Sequence, residues 1–537
     1  MSCKRVCIIG AGASGLTAIK CCLDENLQPV CFERDDYIGG LWNFKEQVPG
    51  GQASIYRSVI INTSKEMMCY SDFPIPASFP NFMHNSRIVE YFRMYAQQYQ
   101  LEKYIRYKTA VKSLRRRDDF DTSGQWDVTV VTEDGAEESS VFDAVMVCTG
   151  HHTDPHLPLD SFLGIEKFGG RYMHSKEYKD HKPFEGKRVM VVGVGNSGLD
   201  IAVELSRHAS QVFLSTRRGA WVINRVAEGG KPLDIVYVRR TMAAFFSWLP
   251  TELTNKIVER KLNARFNHRD YGLQATHRYN GQHPSVNDDL PNRILSGTLT
   301  VKPNVASFTE SGVVFEDGTR EDIDSVIFAT GYTFRYPFLD TGEPGLLPVK
   351  GNRVSLYKFA FPPRLARPTL VIVGLVQPLG AIMPISEMQC RWATRVFKGL
   401  VKLPSIADMM DDIRARKESM EKRYVASQRH TIQVEYIDYM DQIAQQIGVK
   451  PSFLPMFRQD PRLALKVFFG PCTPYQYRLV GPGCWPGAAE AIRTQWDRIV
   501  TPTRTRSVDS NNAELLRMLI QMFICLLVVV AVVVQFF

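Results

Sequence analysis

The sequence contains few cysteines, and their spacing excludes several classes of protein. Among 537 residues there are eleven cysteines, with no CxxC pair, no CxxxxC pair and no spacing typical of a zinc site. These absences argue against a disulfide scaffold, a structural zinc module and a disulfide reductase. We therefore expect reduced cysteines that pack as small apolar residues in a cytosolic compartment.

The start of the chain lacks the pattern of a signal peptide. The apolar run at 6–9 is short and ends directly in glycines, so we expect no entry into a secretory compartment. Basic residues are dispersed, the formal net charge of +9 is mild for this length, and we expect no nucleic-acid partner. No Ser/His/Asp nucleophile set and no metal-ligand cluster is recognisable. Hydrophobic residues at 45% and charged residues at 23% exclude a disordered or collagen-like chain.

Charged residues are also absent from the last twenty positions. The segment 518–537 has no Asp, Glu, Lys or Arg, and its part 524–534 is continuously apolar apart from one thiol. Twenty helical residues span about 30 Å, the thickness of the hydrocarbon core of a bilayer. A buried core helix is the alternative, but its position and its lack of charge favour a membrane span. With arginines just before it, the segment predicts a transmembrane tail anchor at 513–537 and a body on the cytosolic side.

A glycine-rich turn follows the first predicted strand. The run RVCII at 5–9 is typical of a buried parallel strand, and GAGASG at 10–15 leads from it into an amphipathic helix. The next apolar strand ends in Glu33, 18 residues after Gly15. This order of strand, GxGxxG turn, helix, strand and acid predicts a dinucleotide-binding fold, in which the acid accepts hydrogen bonds from a ribose hydroxyl. The N-terminus of the helix would face the pyrophosphate.

A second copy of the pattern begins at residue 188. The strand RVMVV is followed by GVGNSG at 193–198, but the next strand ends in Ser-Thr-Arg-Arg at 215–218 and has no acid. A carboxylate would repel a 2′-phosphate, whereas Thr216 and Arg217 would hold one. The first site should therefore take FAD or NAD, and the second NADPH. The alternative interpretation of the two arginines is a solvated strand end.

Two such sites in one chain predict electron transfer from NADPH to a bound flavin. The first motif is followed by GGLW at 39–42, and two later strands end in Thr-Gly, at 149–150 and 330–331. Each Thr-Gly indicates a return of the chain to a parallel sheet beside a cofactor, although glycine also ends many strands for reasons of turn geometry. The predicted fold class is α/β, with two Rossmann-like dinucleotide-binding domains, a helical insertion and a C-terminal transmembrane helix.

Longer motifs add a family resemblance. The segment FGGRYMHSKEY at 168–178 matches FxGxxxHxxxY, the signature of the flavin-containing monooxygenases, and FATGY at 328–332 matches another segment of that family. NTSKEMM at 62–68 and the C-terminal anchor resemble the vertebrate members, also called dimethylaniline monooxygenases. The segments QHPSVNDD at 282–289 and RHT at 429–431 are most similar to the fifth isoform, which is associated with Baeyer–Villiger oxidation.

The resemblance implies a reaction. NADPH reduces FAD, dioxygen adds to the reduced flavin at C4a, and the hydroperoxide transfers one oxygen atom to a nitrogen or sulfur centre or inserts it beside a ketone carbonyl. The expected partners are O2, a small lipophilic substrate such as a xenobiotic, and the endoplasmic reticulum membrane, with the catalytic body in the cytosol and a homodimer as a possible assembly. An NADPH oxidase that releases H2O2 is the alternative enzyme, and a non-catalytic nucleotide-sensing membrane protein is the alternative from another class.

The motifs and the resemblance together name the candidate site residues. Asn62 is the expected catalytic amide, since a neutral amide can donate to a peroxide oxygen without acting as a proton sink, and His283 is a second catalytic candidate beside its interpretation as an ordinary loop residue. The predicted FAD contacts are Gly10, Ala11, Gly12, Ala13, Ser14, Gly15, Glu33, Gly40, Leu41, Trp42, Asn62, Thr63 and Gln377. The predicted NADP contacts are Asn62, Gly193, Gly195, Asn196, Ser197, Gly198, Leu199, Thr216 and Arg217. No metal ligand is predicted.

Composition and motifs divide the chain into seven segments. We expect the FAD-binding domain at 1–155 and 336–445, the NADP-binding domain at 156–225 and 296–335, a mainly helical insertion at 226–295, a C-terminal region and linker at 446–512, and the anchor at 513–537. Within the insertion, MAAFFSWL at 242–249 is apolar but too short to span a membrane, and basic residues surround it. This composition suits a membrane interface, and it equally suits packing over the active site.

Overall fold

The computed structural model describes residues 3–339, 346–425, 427, 430–506 and 521. The predicted anchor at 513–537 lies outside the described residues apart from Gln521, so the transmembrane helix stays a prediction. Within the described ranges, no helix combines the length and the apolar character that a membrane crossing requires.

The strands are numbered in chain order. They are β1 (Arg5–Ile9), β2 (Gln28–Phe32), β3 (Ile105–Arg106), β4 (Thr109–Arg116), β5 (Trp126–Thr132), β6 (Glu137–Phe142), β7 (Ala144–Val147), β8 (Asp154–Pro155), β9 (Arg171–His174), β10 (Arg188–Val192), β11 (Gln211–Ser215), β12 (Val222–Ile223), β13 (Ser285–Val286), β14 (Leu299–Lys302), β15 (Val305–Phe308), β16 (Gly312–Phe315), β17 (Arg320–Asp322), β18 (Ser325–Phe328), β19 (Tyr332–Thr333), β20 (Leu370–Ile372), β21 (Gln377–Leu379) and β22 (Gln433–Glu435).

The α-helices are numbered in the same way. They are α1 (Ala13–Asp24), α2 (Lys65–Met68), α3 (Asn85–Gln98), α4 (Phe120–Ser123), α5 (Asn196–Leu205), α6 (Leu233–Tyr237), α7 (Arg240–Trp248), α8 (Thr251–Arg265), α9 (Leu290–Leu295), α10 (Ile382–Phe397), α11 (Ile406–Arg423), α12 (Tyr436–Gln446), α13 (Phe453–Gln459), α14 (Pro461–Phe469) and α15 (Ala488–Val500).

The first parallel sheet has the strand order β20-β7-β1-β2-β3. Residues 6–9 of β1 and all of β7 are buried, as expected for central strands that are covered on both faces. Because β1 lies between β2 and β7, the chain leaves β1 on one side and returns on the other. The carboxyl end of β1 is therefore a topological switch point, where ligands bind in open α/β sheets.

The second parallel sheet repeats this arrangement with the order β14-β11-β10-β18-β9. Here β10 lies between β11 and β18, so the second glycine turn, which follows β10, also lies at a switch point. The two predicted Thr-Gly returns are confirmed, since β7 ends before Thr149-Gly150 and β18 before Thr330-Gly331, each beside the central strand of its sheet. The α/β class with two dinucleotide-type sheets is confirmed, whereas the domain boundaries stay a prediction.

The segment between the two halves of the second sheet is mostly helical. It contains α6 to α9, together with β13, which pairs in parallel with β12. This pairing places the 285–289 stretch against the second glycine turn: the hydroxyl of Ser285 donates to the carbonyl of Val194, and the N–H of Val286 donates to Oδ1 of Asn196 at 2.8 Å.

The cysteines of the described residues contribute to packing. Ten of the eleven are described, all are free thiols, and eight of these are buried. Burial raises the pKa of the thiols in the first sheet, such as Cys7 and Cys148, well above the ordinary value. These thiols are therefore protonated and inert at neutral pH, as the sequence predicts.

Candidate functional site

At two of the three glycines in the first glycine turn, the packing of the chain leaves no room for a side chain. Gly10 has φ of +98°, and a Cβ there would lie 2.9 Å from the carbonyl oxygen of Cys148. A Cβ on Gly15 would overlap the carbonyl oxygen of Gly10. The turn therefore brings β1, α1 and the return strand β7 so close together that these positions exclude a side chain.

Gly12 is different, because the protein itself does not require a glycine there. Its φ of −76° is accessible to any residue, and a Cβ would meet no protein atom nearer than 3.7 Å, from Gly40. Gly12 and Gly40 thus lie in close backbone contact at the N-terminus of α1. The absence of side chains at these two glycines lets a pyrophosphate approach the helix N-terminus, which favours its charge. The residues present therefore fit a dinucleotide at this site.

Glu33 lies directly behind this turn. Its Oε2 accepts a hydrogen bond from the Ala11 N–H at 2.6 Å, and Oε1 accepts one from the Asp35 N–H at 3.0 Å. Burial raises the pKa of the Glu33 carboxyl, while these two hydrogen bonds act in the opposite direction. Each carboxylate oxygen can accept a further hydrogen bond, so the position is compatible with the predicted ribose contact.

The second glycine turn has the same construction. Gly193 has φ of +110°, a Cβ on it would lie 2.6 Å from the carbonyl oxygen of Ala329, and a Cβ on Gly198 would overlap the carbonyl oxygen of Gly193. Gly195 is the N-cap residue of α5. Ser197 and Leu199 follow in the first turn of this helix, with the side chain of Leu199 fully buried in the core.

The predicted phosphate-binding pair lies after β11. The hydroxyl of Thr216 accepts a hydrogen bond from the N–H of Gly219 at 3.0 Å, which holds the loop. Arg217 is exposed, and within the described residues its guanidinium has no ion pair or hydrogen bond. Its position at the end of the second strand is the one at which an NADP 2′-phosphate is recognised.

Asn62 lies in the turn before α2, and a residue distant in sequence, Arg225, holds its side chain. Its Oδ1 accepts a hydrogen bond from Nη2 of Arg225 at 2.7 Å. Two residues further on, the N–H of Ser64 donates to Oδ2 of Asp234 at 2.7 Å. Sequence reasoning missed Arg225 and Asp234, since nothing in the 225–234 stretch distinguishes them from other charged residues.

His283 lies near another candidate residue. Its Nδ1 is 3.2 Å from Oε1 of Gln433, which opens β22. Gln433 is in turn the Cα partner of Gln377 at the start of β21. The structure thus brings His283 beside the strand pair that carries Gln377, a predicted flavin contact.

The other predicted residues lie close to these elements. Ser14 is the second residue of α1, and its hydroxyl is 3.0 Å from that of Ser386 on α10. The remaining predicted FAD contacts lie on the first glycine turn, on the short 3-10 turn Gly40–Trp42 or beside Asn62; they are Ala11, Ala13, Leu41, Trp42 and Thr63. In the family signature, both ring nitrogens of His174 contact backbone atoms, namely the Gly331 carbonyl and the Lys176 N–H, so this histidine has a structural role.

Comparison with known proteins agrees with this architecture. Residues 3–537 match the family model FMO-like, described as Flavin-binding monooxygenase-like. The chain is 59% identical over 514 residues to flavin-containing monooxygenase 5 of Rattus norvegicus, with 96% of each chain covered. The predicted resemblance to the fifth isoform is thus confirmed.

Solved structures of low sequence identity share the fold. One is S-allyl-L-cysteine S-oxygenase from Allium sativum, with a TM-score of 0.64 and 22% identity over 93% of this chain and 99% of that one. Another is cyclohexanone monooxygenase from Rhodococcus sp. Phi1 bound to NADP+, with a TM-score of 0.59 and 16% identity over 83% of this chain and 98% of that one. Together with the sequence matches and the two nucleotide turns, the comparisons establish that this chain belongs to the flavin-containing monooxygenase family, oxidoreductases that use FAD and NADPH.

Proposed function

We propose that this monooxygenase uses NADPH and O2 to oxygenate small lipophilic substrates, and that it converts ketones to esters in addition to oxygenating sulfur and nitrogen. The observation that carries the ketone reaction is the position of His283 beside the strand pair of Gln377. FAD bound at the first glycine turn would supply hydride acceptance from NADPH and activation of dioxygen, chemistry that belongs to the cofactor. The chain itself binds, orients and shields the reacting groups.

The residues beside the two nucleotide turns support separate sites for the two cofactors. Glu33 accepts hydrogen bonds, and a carboxylate at this position would repel a 2′-phosphate, so it favours a free ribose hydroxyl. Arg217 provides the opposite preference at the second site. We therefore assign FAD to the turn at 10–15 and NADPH to the turn at 193–198.

Asn62 is assigned the role of hydrogen-bond donor at the reacting centre. Its amide is neutral, so it can donate to an oxygen atom without exchanging a proton with it. The turn that carries it is held at Asn62 by Arg225 and at Ser64 by Asp234. A donor held in this way is oriented before the reaction begins, which is the condition for electrostatic stabilisation of a transition state.

His283 is assigned to the reaction with ketones. An imidazole near the flavin can position a carbonyl oxygen or supply a proton to it, which an acidic side chain at neutral pH cannot do. The same residue also contacts Gln433, so its ring is oriented by the protein.

The test is a competition between a ketone and a thioether in one reaction with NADPH and air. We expect both the ester and the sulfoxide, and we expect His283→Glu to lower the ratio of ester to sulfoxide. Sulfoxide without ester in the wild-type reaction contradicts the ketone preference. Equal amounts of NADPH consumed and H2O2 released, with neither product, contradict the whole proposal and leave an NADPH oxidase.

We also propose attachment to the endoplasmic reticulum membrane through the 513–537 anchor, supported by a second contact from the insertion. On α7 the side chains of Met242, Phe245 and Trp248 recur every three residues and are exposed, Trp248 to 85%. Exposed aromatic residues of this kind suit the boundary between lipid and water.

Self-association as a homodimer is a separate proposal, checked by sedimentation of the detergent-solubilised protein.

A further inference from the structure

The hydrogen bond between Asn62 and Arg225 has a direction that the chemistry of the two side chains decides. A guanidinium has five N–H donors and no acceptor, so the Asn62 atom that meets it at 2.7 Å must be the carbonyl oxygen Oδ1. The usual ambiguity between the oxygen and nitrogen of an amide side chain is absent here. The amide group Nδ2 of Asn62 therefore points away from Arg225, with its two N–H donors directed elsewhere.

Arg225 is itself held in place by a carboxylate. Its backbone N–H donates to Oδ1 of Asp288 at 2.9 Å, and its Nη1 donates to Oδ2 of the same residue at 3.0 Å. The side chain is only 13% exposed. A guanidinium that is bound through Nη1 and largely buried has little rotational freedom, so it presents Nη2 to Asn62 in one geometry.

Arg225 also lies close to α5, the helix that follows the second glycine turn. Its Nη2 is 3.9 Å from Oδ1 of Asp200 on this helix. Asp200 accepts hydrogen bonds from the hydroxyl of Tyr56 at 2.8 Å and from the side chain of Asn287 at 3.0 Å. Arg225 thus joins the Asn62 turn to the helix that begins at the NADP site.

One donor of Arg225 is unused by the protein. Its Nε–H is buried and meets no hydrogen-bond acceptor among the described residues. A buried donor without a partner costs free energy, so the guanidinium is held in this geometry by its contacts through Nη1 and Nη2 and not through Nε.

We propose that Arg225 is a positioning residue that fixes the amide of Asn62 with Oδ1 toward the protein and Nδ2 available as a donor to the bound cofactors. The proposal rests on the role of Asn62 in the proposed function. It predicts that Arg225 affects the amount of oxygenated product per NADPH through Asn62. Loss of Arg225 lets the amide of Asn62 rotate and present its oxygen to an oxygen atom, which is repulsive.

The first test replaces the Nδ2 donor of Asn62 and leaves its contact with Arg225. Asn62→Asp has nearly the same shape, and its carboxylate keeps the Arg225 contact, but an acceptor oxygen takes the place of the Nδ2 donor. We expect full FAD content and a fall in oxygenated product per NADPH of at least about tenfold, as for Asn62→Ala, because a charge-assisted contact alone does not supply the donor. Product formation by Asn62→Asp at the wild-type level overturns the proposal.

The second test is a double-mutant cycle of Asn62→Ala and Arg225→Met, with two readouts. These are the oxygenated product per NADPH and the dissociation constant of NADP+ for the oxidised FAD protein, measured by calorimetry. If Arg225 acts through Asn62, Arg225→Met lowers the product at least about tenfold in the wild-type background and less than about twofold in the Asn62→Ala background. Additive product losses show an independent structural role and overturn the proposal.

Controls separate the possible failures. Arg278→Met removes a partly exposed arginine of the insertion that is likewise paired with two carboxylates, those of Glu252 and Glu259, and we expect no change in either readout. Arg225→Lys keeps one donor and should restore part of the coupling, which a packing role would not predict. If Arg225→Met does not retain FAD, the Asn62→Asp result decides alone. Failure of the wild-type protein to form any product contradicts the proposed function. In that case the NADP+ dissociation constants of the cycle still show whether the effect of Arg225→Met depends on Asn62.

Discussion

Oδ2 of Asp234 accepts a hydrogen bond from the backbone N–H of Ser64 at 2.7 Å, which joins the insertion to the turn that carries Asn62. Oδ1 of the same carboxylate accepts the N–H of Ile235 at 2.9 Å. Removal from water raises the pKa of Asp234 to about 6, because these hydrogen bonds only partly offset the loss of hydration. A buried acid therefore contacts the backbone two residues from the proposed catalytic amide.

The stability of the protein should depend on pH through Asp234. Its pKa is raised in the folded state, so its stabilising contribution is fully present below about 3.8 and is lost as pH rises through about 6. We expect the unfolding free energy of the wild type, relative to Asp234→Asn, to fall between about pH 4 and pH 6, by at most about 3 kcal/mol. Thermal unfolding of both proteins across this range at constant ionic strength measures the difference. A stability difference between the two proteins that does not change with pH contradicts the raised pKa of Asp234.

Substitutions at two glycines of the first turn should have opposite consequences. Gly12→Ala places a methyl group where no protein atom lies nearer than 3.7 Å, so folding should tolerate it, but the methyl group should hinder the approach of a pyrophosphate to the N-terminus of α1. We expect a folded protein that purifies without FAD. Gly15→Ala overlaps the Gly10 carbonyl and should prevent folding of the domain. Circular dichroism and the ratio of flavin to protein absorbance measure both effects, and full flavin content in Gly12→Ala contradicts the prediction.

The choice of NADPH over NADH should depend on Arg217. Arg217→Ala removes the exposed guanidinium assigned to the 2′-phosphate, so we expect kcat/KM for NADPH to fall by about ten- to a hundredfold. The value for NADH, which lacks this phosphate, should change little. Arg93→Ala is the matched control, because it removes the same charge from an exposed position on α3. An unchanged preference in Arg217→Ala refutes the assignment.

The aromatic face of α7 should lie at the membrane surface. In full-length protein reconstituted into vesicles with brominated acyl chains, we expect quenching of tryptophan fluorescence to include a contribution from Trp248. Trp248→Phe should remove that contribution while leaving the activity unchanged. Equal fractional quenching in both proteins shows that this face is away from the lipid.

Local patterns in the sequence predict much of the fold and part of the site. The buried strands, the glycine turns and the acid or arginine that ends the second strand of each pair are all recognisable from neighbouring residues. The reason is that the positive φ of Gly10 and the nearness of its carbonyl to Gly15 are local requirements for glycine, and parallel strands covered on both faces require continuous apolar runs. The family signature at 168–178 is similarly local, and the ring nitrogens of its His174 contact backbone atoms.

Contacts between distant segments were decided by the tertiary structure. Asn62 and Arg225 are 163 positions apart, Ser64 and Asp234 are 170 apart, and His283 and Gln433 are 150 apart. No periodicity or short motif encodes such pairs, because they form only when two sheets and an insertion pack together. The sequence by itself determined that this protein binds two dinucleotides and belongs to an oxygenating family. Only the packed structure decided which charged residues hold the turn of Asn62, since burial and distance select them from many similar side chains.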